Sequence, residues 1–192
     1  QKILNEAIEE LKENEFKTVY QNDEDEADKV YVKDAQIDTD FEILFPDHYI
    51  NSIKERLNLY TKLNEVKDEK ELLTFEKELL DRFGELPQEA EDLLNSVRLK
   101  WIAASIGLEK IVLKKAKMIG YFLSNQQSDF YQSKRFREVL QYVQMHPRNC
   151  QMKEKETRNG LRLLLTFEKI TSVNRALEVL KPLEQKETSE AQ

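Results

Sequence analysis

Apolar residues recur along this chain with two periods, and each period predicts an element. Ile37, Thr39, Phe41, Ile43 and Phe45 alternate with Asp38, Asp40 and Glu42, the period-two pattern of a half-buried strand. Pro46 and Asp47 then open a helix, since proline suits a first helical turn. Its buried stripe is expected from Ile50, Ile53, Leu57, Tyr60 and Leu63. Asp68 and Glu71 make a capping box for a second helix carrying Leu72, Leu73, Phe75, Leu79, Leu80 and Phe83. Gly84 ends that helix in the left-handed conformation. Pro87 opens a third, running to about Ile106 through Ala90, Leu93, Leu94, Val97, Trp101 and Ile102, and Gly107 ends it in the same way.

The pattern then shortens. Lys110 to Leu113 and Met118 to Leu123 predict two short strands around a Lys-Lys-Ala-Lys turn. Ser124 to Asp129 is polar. Ser133 to Met145 predicts a helix with Phe136, Val139, Leu140 and Val143 inward, stopped by Pro147. Asn149 to Thr157 and Leu161 to Phe167 predict a hairpin around Asn159-Gly160, the strongest short turn signal in the chain. Ser172 caps a last helix through Leu180. Ahead of all this, Ile3, Leu4, Ala7, Ile8 and Leu11 mark an amphipathic helix over residues 2–16, and residues 21–29 are an acidic run without apolar anchors. Strands and helices come in blocks, which predicts an α+β fold, with helices packed on a small antiparallel sheet built largely from hairpins. The expected division is a leading helix at 1–20, an acidic linker at 21–35, a folded domain at 36–183 and a polar tail at 184–192.

Composition changes the picture only in part. The chain has 192 residues, 40% of them hydrophobic, enough for a core. It opens without a Met, so a piece of a longer protein is expected. The net charge of -7 argues against general binding to DNA phosphates. The single cysteine, Cys150, has no internal disulfide partner, as expected in a reducing cytoplasm. No apolar run is long enough to span a membrane. Charge is unevenly placed. Asp68 to Asp92 holds ten acidic and three basic residues, whereas Arg98 to Arg162 holds fourteen basic and five acidic ones.

Candidate chemistry is sparse. The two histidines, His48 and His146, flank prolines at helix ends, and neither is spaced from Cys150 as a metal site requires. No glycine-rich phosphate loop is present. Neither a catalytic constellation nor a bound cofactor or metal is expected. The candidate site is instead the corner from Lys77 to Pro87. Glu78 and Asp81 are three apart and share a side of the helix, and Arg82 is four from Glu78. With Leu79, Leu80 and Phe83 turned to the core, the two carboxylates face outward and suit a basic partner. An alternative reading is a nucleic-acid-binding module on the basic half. There Lys114, Lys115, Lys117, Lys134, Arg135 and Arg137 mix with Tyr121 and Phe122.

Three stretches carry a resemblance: FPDHYI…RLNLYTKL from Phe45 to Leu63, ELLDRFGELPQEAEDLL from Glu78 to Leu94, and RLKWIAASIGLEKI from Arg98 to Ile111. Through them, residues from about Asp38 to Leu180 resemble the C-terminal regulatory domain of bacterial transcription-repair coupling factor. The leading helix is similar to the segment that leaves that family's translocase module. The resemblance implies a parent that moves on double-stranded DNA with ATP and magnesium, displaces stalled RNA polymerase and recruits UvrA. It implies a non-catalytic clamp here, docked on the UvrB-like N-terminal region of the same protein and masking the surface that UvrA uses. The family's contact residues before its RFG turn fall on Glu78 and Asp81, with Arg82 beside them. The expected setting is the bacterial cytoplasm.

Overall fold

The computed structural model describes residues 29–184. The leading helix, most of the acidic run and the last eight residues lie outside the described residues. The elements in chain order are β1 (Gln36–Thr39), α1 (Ile53–Glu65), α2 (Glu69–Phe83), α3 (Gln88–Ser105), β2 (Leu108–Lys114) and β3 (Lys117–Phe122). A 3-10 turn (Asp129–Gln132), α4 (Lys134–Met145), β4 (Gln151–Thr157), β5 (Gly160–Glu168) and α5 (Val173–Leu180) follow. The five strands form one sheet in the order β1-β2-β3-β5-β4. The expected α+β architecture is present, with one difference: β1 runs parallel to β2, so the sheet is mixed. The other pairings are antiparallel, and the predicted β4–β5 hairpin forms, but its two-residue loop is Arg158-Asn159, with Thr157 opposite Gly160 and only Gly160 at positive φ, so it is not the Asn-Gly I′ turn.

Two apolar cores lie along α3. Leu99, Ile102 and Ala103 of its second half join a core with Ile111, Leu113, Met118, Phe122, Leu163, Leu165 and Phe167 of the sheet and with residues of α4 and α5. Ala90, Leu93 and Leu94 of its first half join Phe45, Ile50, Leu59, Leu63, Leu72, Phe75 and Leu79. The corner at Gly84 thus belongs to a three-helix unit that reaches the sheet through α3.

The alternation from Ile37 to Phe45 does not become one strand. Thr39 Oγ1 donates to the Leu113 carbonyl at 2.9 Å and accepts from the Phe41 amide at 3.1 Å, so the chain turns off the sheet at Asp40. Phe45 ends buried in the helical core, where its amide donates to Tyr60 Oη at 2.8 Å. Pro46 opens only a tight turn, its carbonyl accepting from the amides of Tyr49 and Ile50. The helix begins later, with the Ser52 hydroxyl as its cap. Ile50 is buried ahead of it, but Ile53 and Leu57 are 67% and 61% exposed, and Leu73 and Leu80 of α2 are 52% and 43% exposed. A helix in a small three-helix unit buries a narrow stripe. On α1 that stripe is Leu59 and Leu63, rotated from the one the apolar pattern suggests.

Gly107 answers to two constraints at once. Its φ is +84°, and a Cβ there would lie 2.1 Å from the Phe130 ring, itself fully buried among Phe122, Tyr131 and Phe136. Gly84 also has φ +84°, but no atom lies within 4 Å of its notional Cβ. Its ψ of -162° places it beyond the left-handed helix, in a region reserved for glycine. Gly107→Ala should therefore cost about 3 kcal/mol or more, adding overpacking to backbone strain, and Gly84→Ala about 1–2 kcal/mol from strain alone. Urea denaturation of both variants checks the order, and equal losses would contradict it.

Candidate docking corner

The corner is rigid because its backbone is held from behind. Asp68 caps α2 by accepting from the Glu71 amide at 2.8 Å, and the Glu71 carboxylate accepts from the Lys67 amide at 2.8 Å, one residue before the position a standard capping box would use. At the other end Gly84 N–H donates to the Leu80 carbonyl at 3.0 Å. Tyr49 Oη donates to the Gly84 carbonyl at 3.0 Å, and its ring meets Phe83 edge-on at 5.8 Å. Pro87 then starts α3. Tyr49 comes from the turn ahead of α1, a contribution the local sequence of the corner does not announce.

Glu78, Asp81 and Arg82 have different surroundings. Glu78 and Arg82 meet across one helical turn at 3.3 Å. Glu78 also pairs with Lys62 of α1, and Arg82 reaches Glu55 of α1 at 2.5 Å. The four charges form a ladder between two antiparallel helices. Arg82 also lies over the Phe83 ring at 4.8 Å. Hydrogen bonding from Lys62, with the Lys62 and Arg82 charges behind it, holds the Glu78 carboxyl below its ordinary value of 4.5. Hydrogen bonding to Glu55 raises Arg82 further. Exposed pairs of this kind contribute about 0.2–1 kcal/mol each, so the ladder chiefly sets the register of α1 on α2. Sequence reasoning missed Glu55 and Lys62. The signal was there: they are seven apart on one helix, opposite in sign, and face Arg82 and Glu78 once the short Val66–Asp68 link folds the helices back.

Much of the acidic stretch is taken up internally. Arg98 of α3 clamps Glu69, with Nη2 at 2.7 Å, and approaches Glu76 at 3.6 Å. Asp92 is buried and accepts from Gln88 at 3.0 Å, and burial pushes its carboxyl up. Among the described residues, Asp81, Glu85, Glu89 and Glu91 make no side-chain hydrogen bond or ion pair. Asp81 and Glu85 are exposed on either side of the Phe83–Gly84 turn. Leu79 is fully buried as expected, Phe83 is half-buried, and Leu80 lies 43% exposed beside the charged surface. The outward potential of the corner therefore comes from Asp81 and Glu85 more than from Glu78.

The other candidates are placed elsewhere. His48 is exposed. His146 stacks on Tyr142 at 4.1 Å with Nδ1 2.9 Å from the Tyr142 carbonyl, at the end of α4. Cys150 is buried just before β4, and burial raises its thiol. The basic residues of the alternative reading do not form one face. Phe122 is fully buried, Lys114 pairs with Asp38 at 2.7 Å and Lys117 with Glu168 at 2.8 Å. Arg135, on α4 behind the sheet, donates to the carbonyls of Ser105 and Leu183. Among the described residues no group of His, Cys, Asp and Glu could hold a metal ion, and no helix is long and apolar enough to cross a membrane.

Residues 39–133, which include the whole corner, match the family model of the TRCF domain. The chain carries a TRCF domain. The transcription-repair-coupling factor of Staphylococcus epidermidis (strain ATCC 12228) is 34% identical over 91 residues, 47% of this chain and 8% of that protein. That of Escherichia coli (strain K12) is 31% identical over 102 residues, 53% of this chain and 9% of that protein. The chain thus spans under a tenth of the length of these curated relatives. A crystal structure of the C-terminal domain of transcription-repair coupling factor superposes with a TM-score of 0.56 at 19% identity, covering 79% of this chain and 95% of that one. It shares the fold of this TRCF domain.

The ladder has a pH signature. The folded Glu78 carboxyl lies below its ordinary value, so its contribution to stability is complete above the ordinary glutamate range. It is lost as pH falls through the folded value. Glu78→Gln should flatten the acid limb of a urea-midpoint profile taken from about pH 6 to 3 while changing the neutral plateau by about 1 kcal/mol or less. A parallel shift of the whole curve would contradict the ladder.

Proposed function

We propose that this TRCF domain is a non-catalytic, autoinhibitory interaction domain of a transcription-coupled repair translocase, and that the Glu78–Asp81–Arg82 corner is its latch. In this reading the corner docks on a basic surface of the parent's UvrB-like N-terminal region and covers the surface that UvrA would use. ATP, magnesium and double-stranded DNA engage the upstream motor, and RNA polymerase is the target that releases the latch. The setting is the bacterial cytoplasm. The observation that carries the reading is a rigid helix corner with two unspent outward carboxylates, Asp81 and Glu85, beside a charge ladder that fixes their orientation.

The physical logic is that of a reversible switch. Polar, charge-complementary contacts set register and approach without the large apolar burial of a permanent interface. The docked and released states then differ by a few kcal/mol, within reach of partner binding. Two roles separate within the motif: Glu78 and Arg82 hold α1 against α2, while Asp81 is free to meet the partner.

Asp81→Ala in the intact protein should leave the melting temperature of this domain unchanged. It should raise both UvrA binding and basal ATPase activity by about tenfold, the effect of losing one charge-assisted contact in the docked state. Glu78→Ala with Asp81→Ala should raise them at least as much and also lower stability. Unchanged UvrA binding and ATPase activity in the double variant, with the domain still folded, would overturn the role given to this corner.

A further inference from the structure

The sheet has a second charged feature that the corner does not use. An open groove of about 760 Å³ lies at one end of the sheet, between the segment leading into β1 and the β4–β5 turn. Its register is built from the strands: Gln36 pairs with Lys110, and Lys110 with Tyr121. Arg162 from β5 and Arg158 from the turn complete the basic wall, with Lys33 on the opposite side. Lys33, Lys110 and Arg158 form no ion pair among the described residues. Arg162 is anchored, with Nη2 3.0 Å from Glu109 and 2.8 Å from the Phe122 carbonyl, and its buried Nε–H has no acceptor. Lys33, Lys110 and Arg158 therefore line the groove beside an Arg162 whose charge Glu109 already meets, and among the described residues Asp34 is the other acidic lining residue.

The chain itself brings the complement. Asp23, Glu24, Asp25, Glu26 and Asp28 place five carboxylates within six positions. The run ends at Lys29, which pairs with Asp129 at 2.7 Å and lies over the Tyr31 ring at 5.5 Å, and Tyr31 already lines the groove. Six residues reach at most about 20 Å, so the run cannot leave the neighbourhood of the groove. A tether this short gives a millimolar effective concentration, enough to fill a site of weak intrinsic affinity.

We propose that the acidic run Asp23–Asp28 docks in this groove, its carboxylates on Lys33, Lys110 and Arg158. The contact neutralises the basic end of the sheet. It also fixes the direction in which the preceding chain leaves the domain.

Zero-length carbodiimide cross-linking of the full chain tests this, using an equal mixture of nitrogen-15-labelled and unlabelled protein followed by peptide mass spectrometry. The expected product joins the run to Lys110 within one isotopic species, in clear excess over links to Lys70 on α2. Its yield should collapse near 1 M salt, where the screening length is about 3 Å. Arg158→Ser, at an exposed turn, should lower the yield about two- to fivefold, the effect of one exposed charge contact. Links confined to Lys29 and Lys33, equal links to Lys70, or predominantly mixed isotopic pairs would each overturn the proposal. So would an unchanged yield in Arg158→Ser.

Discussion

The structure depends on one helix belonging to two cores. The first half of α3 closes the three-helix unit through Ala90, Leu93 and Leu94, and its second half closes the sheet core through Leu99, Ile102 and Ala103. Gly107 lets the chain leave that helix directly into β2, and the Phe130 ring fills the space its missing side chain leaves. The acidic corner is tied to the sheet through α3, through Ile43, which packs on both cores, and through the Leu44 amide on the Glu89 carbonyl.

Within the three-helix unit, charge does the positioning that a small apolar stripe leaves undone. Leu59 and Leu63 bury α1, but two leucines do not fix its rotation or slide. The Lys62–Glu78–Arg82–Glu55 ladder and the Arg98 clamp on Glu69 supply that register. The cost is that most carboxylates of the acidic stretch are occupied. Asp81 and Glu85 flank the Gly84 turn, which Tyr49 holds from behind, and like Glu89 and Glu91 they make no side-chain hydrogen bond or ion pair among the described residues.

The two halves of the domain carry opposite charge, and Arg98 joins them by pairing with Glu69 and Glu76 of the acidic stretch. The acidic surface collects at the α2–α3 corner. Lys33, Lys110 and Arg158, with no ion pair among the described residues, line the groove at one end of the sheet beside Arg162. Basic residues that look contiguous along the sequence, such as Lys117 and Arg135, part company because one lies on a strand and the other on the helix behind it.

The sequence by itself determined the parts whose signals are local. Asp68 with Glu71, Gly84 before Pro87, Asn159-Gly160 and the Ser172 cap each mark an element boundary within a few residues, and the boundaries stand, though the Gly84 backbone, the Glu71 bond and the β4–β5 loop differ in detail from their patterns. The i, i+4 pairing of Glu78 with Arg82 was legible for the same reason. Tertiary structure alone decided what depends on distant partners. Thr39 leaves the sheet because the Leu113 carbonyl, over seventy residues on, captures its hydroxyl. Alternation cannot tell β1's parallel pairing from an antiparallel one, since both faces repeat with period two. Ile53, Leu57 and Leu80 are apolar yet exposed, because helical spacing says which residues share a side but not which side finds a neighbour. Asp81 is free and Glu78 engaged for that reason too: both lie outward on α2, but only Glu78 and Arg82 face α1.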